Sequence, residues 1–318
     1  MPYKQLEEKY AKYIGTKYAV STNTGTSALH CAIEALNLPV DAEIIVPEFT
    51  MIASAWAVTY ARLKPVFVDC TDDLLIDIHD LERKITNKTK AIMITHVYGR
   101  VCNMTDIMNI ANHYGLRVIE DACEAQGASW NNKMVGSFDI GCFSFYRNKI
   151  ICAEEGGAIT TNDRQLAEVA NDIKSMSFGA KHNYYHERLG FNYRMTNGQA
   201  ILAINSLEAS EQNIKNRKLV ERWYNENLPD GIKMPMREVV WVYDIKHKNK
   251  NEIVNKLLEK KIAARHGFKP MSSMPMYNLD YKHLNAYKLS QEVFYLPVYP
   301  HFTEDYVKEV CNEVKKCL

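Results

Sequence analysis

Lys149 stands just beyond a short apolar run, Gly141 to Phe145, and is followed by Glu154, Glu155, Gly156 and Gly157. A lysine carried to the end of a strand offers a primary amine that can hold a carbonyl compound as an imine and, once displaced, move a proton. Asp121 closes a second apolar run, Leu116 to Ile119. A carboxylate there is costly to bury unless it meets a cation, and a protonated pyridine nitrogen would be one; capping of the following helix is the alternative. At the third place, Asn23 to Ser27, Gly25 suits a tight turn, and Thr26 and Ser27 set hydroxyls beside the unpaired amides of a helix's first turn. A phosphate dianion is stabilised by such a group, although Ser and Thr also cap ordinary helices.

These residues need a frame that brings strand ends together. Apolar strand candidates at Tyr18–Thr22, Glu43–Pro47, 65–69, 91–96, 116–121 and 140–145 alternate with helical spacing at 28–38, 54–63, 78–85 and Met104–Tyr114. Strands apolar on both faces predict a largely parallel sheet covered by helices on each side, with polar residues Asp69, His96, Asp121 and Ser144 at the carboxyl ends where ligands sit. A further strand at 156–162 and a helix at 163–174 follow. Helix formers then run from 197 to 227 as one long helix, closed by Leu228-Pro229-Asp230-Gly231. Val239–Tyr243 as a strand, a helix at 251–260 and an amphipathic helix from Thr303, its cap, to Leu318 make a smaller α+β unit. The division expected is a large domain at 1–205 and a small one at 206–318, in keeping with a 318-residue chain too long for one core.

A net charge of +1 gives no bulk attraction to nucleic acid or to an anionic membrane, so an acidic ligand has to be bound locally. Walker A and GxGxxG patterns are missing from the sequence, which argues against nucleotide cofactors held in those ways. The eight cysteines form no CxxC pair, and buried reduced thiols are expected. With no apolar leader and no long apolar run, a soluble, cytoplasmic protein is expected.

In order along the chain, Gly25 to Ala28, Glu120 to Gly127 (EDACEAQG), Ser144 to Lys149 (SFYRNK), Glu155 to Gly157 and Gly190 to Arg194 (GFNYR) resemble the DegT/DnrJ/EryC1/StrS family of sugar aminotransferases. The resemblance implies the type I aminotransferase fold, an αβα sandwich with a mostly parallel sheet plus a smaller C-terminal α+β domain, and pyridoxal 5'-phosphate as cofactor. It implies that Lys149 binds the cofactor and moves the proton, that Asp121 pairs with the pyridinium nitrogen, and that Gly25, Thr26, Ser27 and Ser144 form the phosphate site. Glu124 is implied as a contact to the ring or the substrate. Asn192 would reach the phosphate of a neighbouring subunit, giving a homodimer with shared sites, and His186 is a candidate sugar contact. Within the family the pattern is nearest to enzymes that aminate GDP-4-keto-6-deoxymannose. The implied partners are therefore that nucleotide sugar and an amino-acid donor, glutamate; the alternatives are a dTDP- or UDP-linked keto sugar, or a weak or inactive homologue kept for binding or assembly.

Four departures from the family pattern carry expectations of their own. Met51 takes the place of an aromatic residue that stacks on the cofactor, so cofactor affinity should fall unless Phe49 or another ring substitutes. Glu154 takes the place of the glycine in Thr-Gly-Glu-Gly-Gly, which predicts an extra carboxylate near the phosphate or sugar. Relatives also carry a segment upstream of this starting point that helps to frame the site, and the small unit looks shortened before Trp241.

Overall fold

The computed structural model describes residues 1–179, 184–282 and 284–318. Helix α1 (Pro2–Ile14) buries Leu6, Tyr10, Ala11 and Ile14, spaced to form one face. Strand β1 (Tyr18–Thr22) leads into α2 (Gly25–Ala35), and β2 (Glu43–Pro47) into α3 (Ile52–Tyr60). Strand β3 (Lys64–Val68), α4 (Ile78–Arg83), β4 (Thr89–Thr95), α5 (Met104–Tyr114) and β5 (Arg117–Asp121) continue the alternation. After a two-stranded hairpin, β6 (Ser129–Trp130) and β7 (Lys133–Met134), come β8 (Ile140–Ser144), β9 (Gly157–Thr161) and α6 (Arg164–Lys174).

Seven strands form one sheet in the order β1-β9-β8-β5-β4-β2-β3. The pairs from β8 to β3 are parallel, whereas β9 runs antiparallel to both β1 and β8. The central strands are buried except at a residue near one end of β4, β5 and β8, as expected of a sheet covered on both faces; Ile92, Ile94 and Val118 pack into one core, and Ile44, Met93 and Ile119 into the other.

The expected single helix from 197 to 227 is two helices, α7 (Asn197–Glu208) and α8 (Ser210–Asn227), broken at Ala209. Thr196 and Gln199 close a reciprocal capping box at the start of α7. Helix α7 packs on α1, and α8 on the last helix, so the break lets one stretch of helix formers serve two cores. The strand expected at Val239–Tyr243 begins instead at its last residue, as β10 (Tyr243–Lys246). Val239 to Trp241 lie outside the ladder; Val239 packs into a core of the large sheet, Trp241 joins Tyr98 and Phe49 near its strand ends, and Val240 stays in the core of the smaller part. Strand β10 pairs with β12 (Val293–Leu296), which pairs with β11 (Arg265–His266), all antiparallel. Helices α9 (Lys250–Glu259), α10 (Asn285–Glu292) and α11 (Glu304–Lys315) complete this part, with the Thr303 side chain capping α11.

The two parts meet through buried charges. Arg100, from the large sheet's side, pairs with Asp244 on β10 at 2.9 Å, and Arg237 pairs with the same carboxylate at 3.1 Å. Removing one member would leave its partners charged and dry. Among the described residues no helix is long and apolar enough to cross a membrane.

Candidate active site

At the carboxyl ends of the central strands lies a cavity of about 500 Å³. Asp121 reaches it from the end of β5. Its Oδ2 accepts a hydrogen bond from the Ser54 hydroxyl at 2.7 Å, in a chain that continues through Thr50 to Thr95, and its Oδ1 accepts from the Cys123 amide at 3.2 Å. These bonds fix the carboxylate's direction without neutralising it: among the described residues Asp121, buried at the cavity wall, has no ion-pair partner. Such a group is suited to a cationic ligand.

The N-terminus of α2 forms another wall. A Cβ on Gly25 would lie 2.7 Å from that of Ser144, so glycine is what lets the helix end approach β8. Thr24, Gly25, Thr26 and Ser144 line the cavity; Ser27 does not. The Thr24 side chain caps α2 by accepting from the Ser27 amide at 3.1 Å, and the two hydroxyls are 2.9 Å apart, so Ser27 is bonded to the cap rather than facing the cavity. Thr24 lies in the turn read from sequence, where only Gly25, Thr26 and Ser27 were given roles; the structure makes it the cap of α2.

Lys149 approaches from the turn after β8. Its Nζ lies 3.6 Å from the centre of the Trp241 ring and 4.0 Å from Glu124 Oε1. Burial pushes the Glu124 carboxyl up to about 7; Lys149 and the Tyr98 amide, which donates to Oε2 at 2.9 Å, pull the other way, and Asp121 and Asp244 add to the rise. A carboxyl of this kind can hold or release a proton near neutrality beside the amine. Trp241 is itself held: its Nε1 donates to the Asn148 carbonyl at 3.2 Å. Behind it Arg217, buried on α8, donates to the carbonyls of Trp241 at 3.0 Å and Val298 at 2.9 Å, and to Asn148 at 3.4 Å. Burial lowers the Arg217 pKa to about 10.

Other expectations fall outside the cavity. The His96 ring is tied to Glu120 at 3.2 Å and accepts from the Cys102 amide, and Asp69 accepts the first amides of α10, so both serve the frame. His186 is exposed and donates from Nδ1 to the carbonyls of Met176 or Ser177 at 2.9 and 3.0 Å, away from this chain's own cavity. Asn192 is exposed and accepts from Arg194 at 2.8 Å. The neighbouring residues Ala180 to Asn183 lie outside the described residues. Phe49 is fully buried and does not take the place of the missing ring, whereas Met51, 49% exposed, lines the cavity. The extra carboxylate expected at Glu154 is exposed and outside the cavity, and Glu155 lines it; Glu154 adopts φ 56, the left-handed backbone that a glycine would take without cost. Phe268 and Tyr295, which sequence reasoning also missed, complete the wall with Trp241.

An anion-binding helix end, an amine and an unpaired buried carboxylate around one cavity fit pyridoxal phosphate in charge and in room. The DegT/DnrJ/EryC1/StrS aminotransferase family model matches residues 2–315. A GDP-perosamine synthase from Escherichia coli O157:H7 is 35% identical, over 98% of this chain and 89% of that protein. Another from Caulobacter vibrioides is 38% identical over 86% of this chain and 78% of its own. The crystal structure of DesV from S. venezuelae superposes with a TM-score of 0.93 at 26% identity, covering 100% of this chain and 89% of that one. The chain belongs to the DegT/DnrJ/EryC1/StrS family of pyridoxal-phosphate-dependent sugar aminotransferases.

Proposed function

We propose that this protein transfers the amino group of glutamate to GDP-4-keto-6-deoxymannose, forming the 4-amino sugar. The observation that carries the chemistry is Asp121, a buried carboxylate without a cation on the wall that Lys149 also reaches; the likeness to two GDP-perosamine synthases supports the substrate. Bound pyridoxal phosphate would supply an electrophilic carbon and an electron sink. Lys149 holds the cofactor and then moves the proton at the reacting carbon. Asp121 keeps the ring nitrogen protonated, and Thr26 and Ser144, with the N-terminus of α2, hold the phosphate while Gly25 allows the close approach. Ser27 supports this helix end through Thr24. Glu124 exchanges a proton beside Lys149.

Asn192 and His186, exposed on one side of the chain, belong in this reading to a homodimer in which each subunit completes its neighbour's site. The protein works in the cytoplasm on soluble substrates. Its two domains divide at 205/206 in this reading, within the last turn of α7 and four residues before the helix break at Ala209.

The test is direct. Purified protein mixed with pyridoxal phosphate should develop an absorbance band near the visible edge, and borohydride should fix the label on the Lys149 peptide by mass spectrometry. With glutamate, GDP-4-keto-6-deoxymannose should gain an amine, read by mass. Turnover of only a dTDP- or UDP-linked keto sugar would replace the substrate assignment, and absence of both band and amination would remove the enzyme reading.

A further inference from the structure

The hydroxyls behind Asp121 come from separate elements and meet in the interior. Thr50 follows β2, Ser54 lies in the first turn of α3, and Thr95 ends β4 opposite Asp121 in the parallel register. All are buried and none of them lines the cavity, whereas Asp121 does. With Asp121 as a carboxylate, their bonds have one possible direction. A carboxylate only accepts, so Ser54 spends its single hydroxyl hydrogen on Asp121 Oδ2 at 2.7 Å. Thr50 must then donate to Ser54 at 3.0 Å, and Thr95 to Thr50 at 2.8 Å. Among the described residues the Thr95 hydroxyl has no further partner, so the chain ends in the interior and offers no path to water.

We propose that Ser54, Thr50 and Thr95 act as one positioning unit, which fixes the Asp121 carboxylate for the ring nitrogen of pyridoxal phosphate and so favours the protonated ring. This rests on the reading of Asp121 given above and assigns roles to residues outside the cavity. A proton wire needs an exit, and this chain has none. What it supplies is a fixed row of dipoles aimed at the carboxylate. A hydroxyl that accepts a hydrogen bond becomes a better donor to the next, so the bond made at Thr95 strengthens the one made at Asp121. The carboxylate needs such donors, because it is buried without an ion-pair partner among the described residues. Its other donor is the Cys123 amide, at 3.2 Å from Oδ1. These two bonds leave lone pairs on both oxygens for a cation in the cavity. Met51 and Ala53, which line the cavity, sit between Thr50 and Ser54 in the chain, so the same bonds fix the start of α3 against the end of β5.

The experiment follows the isotope-labelled ring nitrogen of pyridoxal phosphate bound to the protein by NMR, since its shift separates a protonated from an unprotonated ring. Each variant is loaded with cofactor and checked for fold by circular dichroism. Thr95→Val keeps the shape of the side chain and removes the hydroxyl at the far end of the unit; Thr50→Val repeats the test one bond nearer, and Thr95→Ser keeps the hydroxyl. In Thr95→Val, and more in Ser54→Ala, the signal should move from the protonated toward the unprotonated position. The maximal rate of the glutamate half-reaction should fall by roughly threefold and tenfold respectively, with half-saturation little changed. Thr95→Ser should keep the parent signal. A merely structural role would lower the thermal midpoint of the valine variants and leave the signal where it is. If Asp121→Asn moves the signal and the valine variants do not, the unit is overturned while the reading of Asp121 stands. If Asp121→Asn leaves the signal in place, that reading fails and the unit falls with it.

Discussion

The two walls of the cavity are built on different principles. The wall from the large sheet consists of strand ends and a helix start: Asp121 closes β5, Ser144 closes β8, and Gly25 opens α2. Its polar groups are fixed by the sheet's register and by short side-chain hydrogen bonds. The opposite wall, Trp241, Phe268 and Tyr295, is aromatic and comes from the smaller part, with Trp241 and Phe268 in loop segments. It touches Lys149 through a ring face at 3.6 Å rather than through a charge. The difference assigns the chemistry to the first wall and the placement of Lys149 and substrate to the second.

That assignment is broken if changes on the aromatic side cost as much as changes on the charged side. In the proposed reaction Lys149 is both the covalent anchor and the proton carrier, so Lys149→Ala should lower turnover by at least about 10⁴-fold. Single-turnover assays with glutamate alone and with keto sugar alone would show whether both halves are lost. Asp121→Asn keeps the shape and the Ser54 contact but loses the charge that favours a protonated ring nitrogen. A fall of about 10² to 10³ in kcat is expected, with cofactor still bound by absorbance and a smaller change in KM.

Glu124→Gln sharpens the comparison through pH. The carboxyl is raised from an ordinary 4.5 to about 7 mainly by burial. The folded protein therefore keeps a proton that the unfolded chain has lost, and between those values the stability supplied by this group falls as pH rises. Thermal midpoints measured from pH 4.5 to 7 should drop less steeply in Glu124→Gln than in the parent, and the inflection near pH 7 in the rate profile should vanish. An unchanged inflection would assign it to another group.

How far these walls could be read from sequence follows from the same contrast. Asp121 and Ser144 were legible because each closes a strand of apolar residues, which fixes the end of the sheet at which it emerges, and Lys149 because it stands in the turn that follows one of them. His96 and Asp69 satisfied the same rule and were turned to other uses, by Glu120 and by the amides of α10, through contacts made at long sequence separation. Ser27 differs from Thr26 only in which hydroxyl the Thr24 cap captures, a choice that composition does not encode. Trp241 read as part of a strand because Val239 to Tyr243 are β-formers. Tertiary packing overrode that propensity, and only Tyr243 joined the ladder. Arg217 left no local sign at all, being one cation in a polar helix. Its meaning lies in four carbonyls contributed by the lysine turn, by the segment before β10 and by the chain after β12.

Arg217→Met tests whether the aromatic wall acts by placement. The change removes a buried charge that meets no carboxylate among the described residues but strands the carbonyls of Trp241 and Val298, so a net loss of about 1 to 3 kcal/mol is expected in urea denaturation. A merely structural role would end there. If the guanidinium also sets Trp241 against Lys149, kcat/KM should fall by about tenfold under conditions where the protein remains folded, and Arg217→Lys, which has no planar fork, should recover stability better than rate.

The smallest expected effect is a gain. Met51 lines the chamber at the start of α3 and is about half exposed, so a larger side chain there has room to turn toward the cavity without displacing the core. Phe49 is fully buried among Tyr98 and Phe268 and cannot swing in to supply the ring that position 51 lacks. Met51→Tyr should therefore tighten pyridoxal phosphate by about two- to tenfold, the range of an aromatic stacking contact, measured by absorbance titration of cofactor-stripped protein. Affinity left unchanged would mean that the cofactor ring already has its cover from Trp241. The aromatic wall would then take part in holding the cofactor as well as in placing the lysine, and the division of labour between the two walls would have to be redrawn.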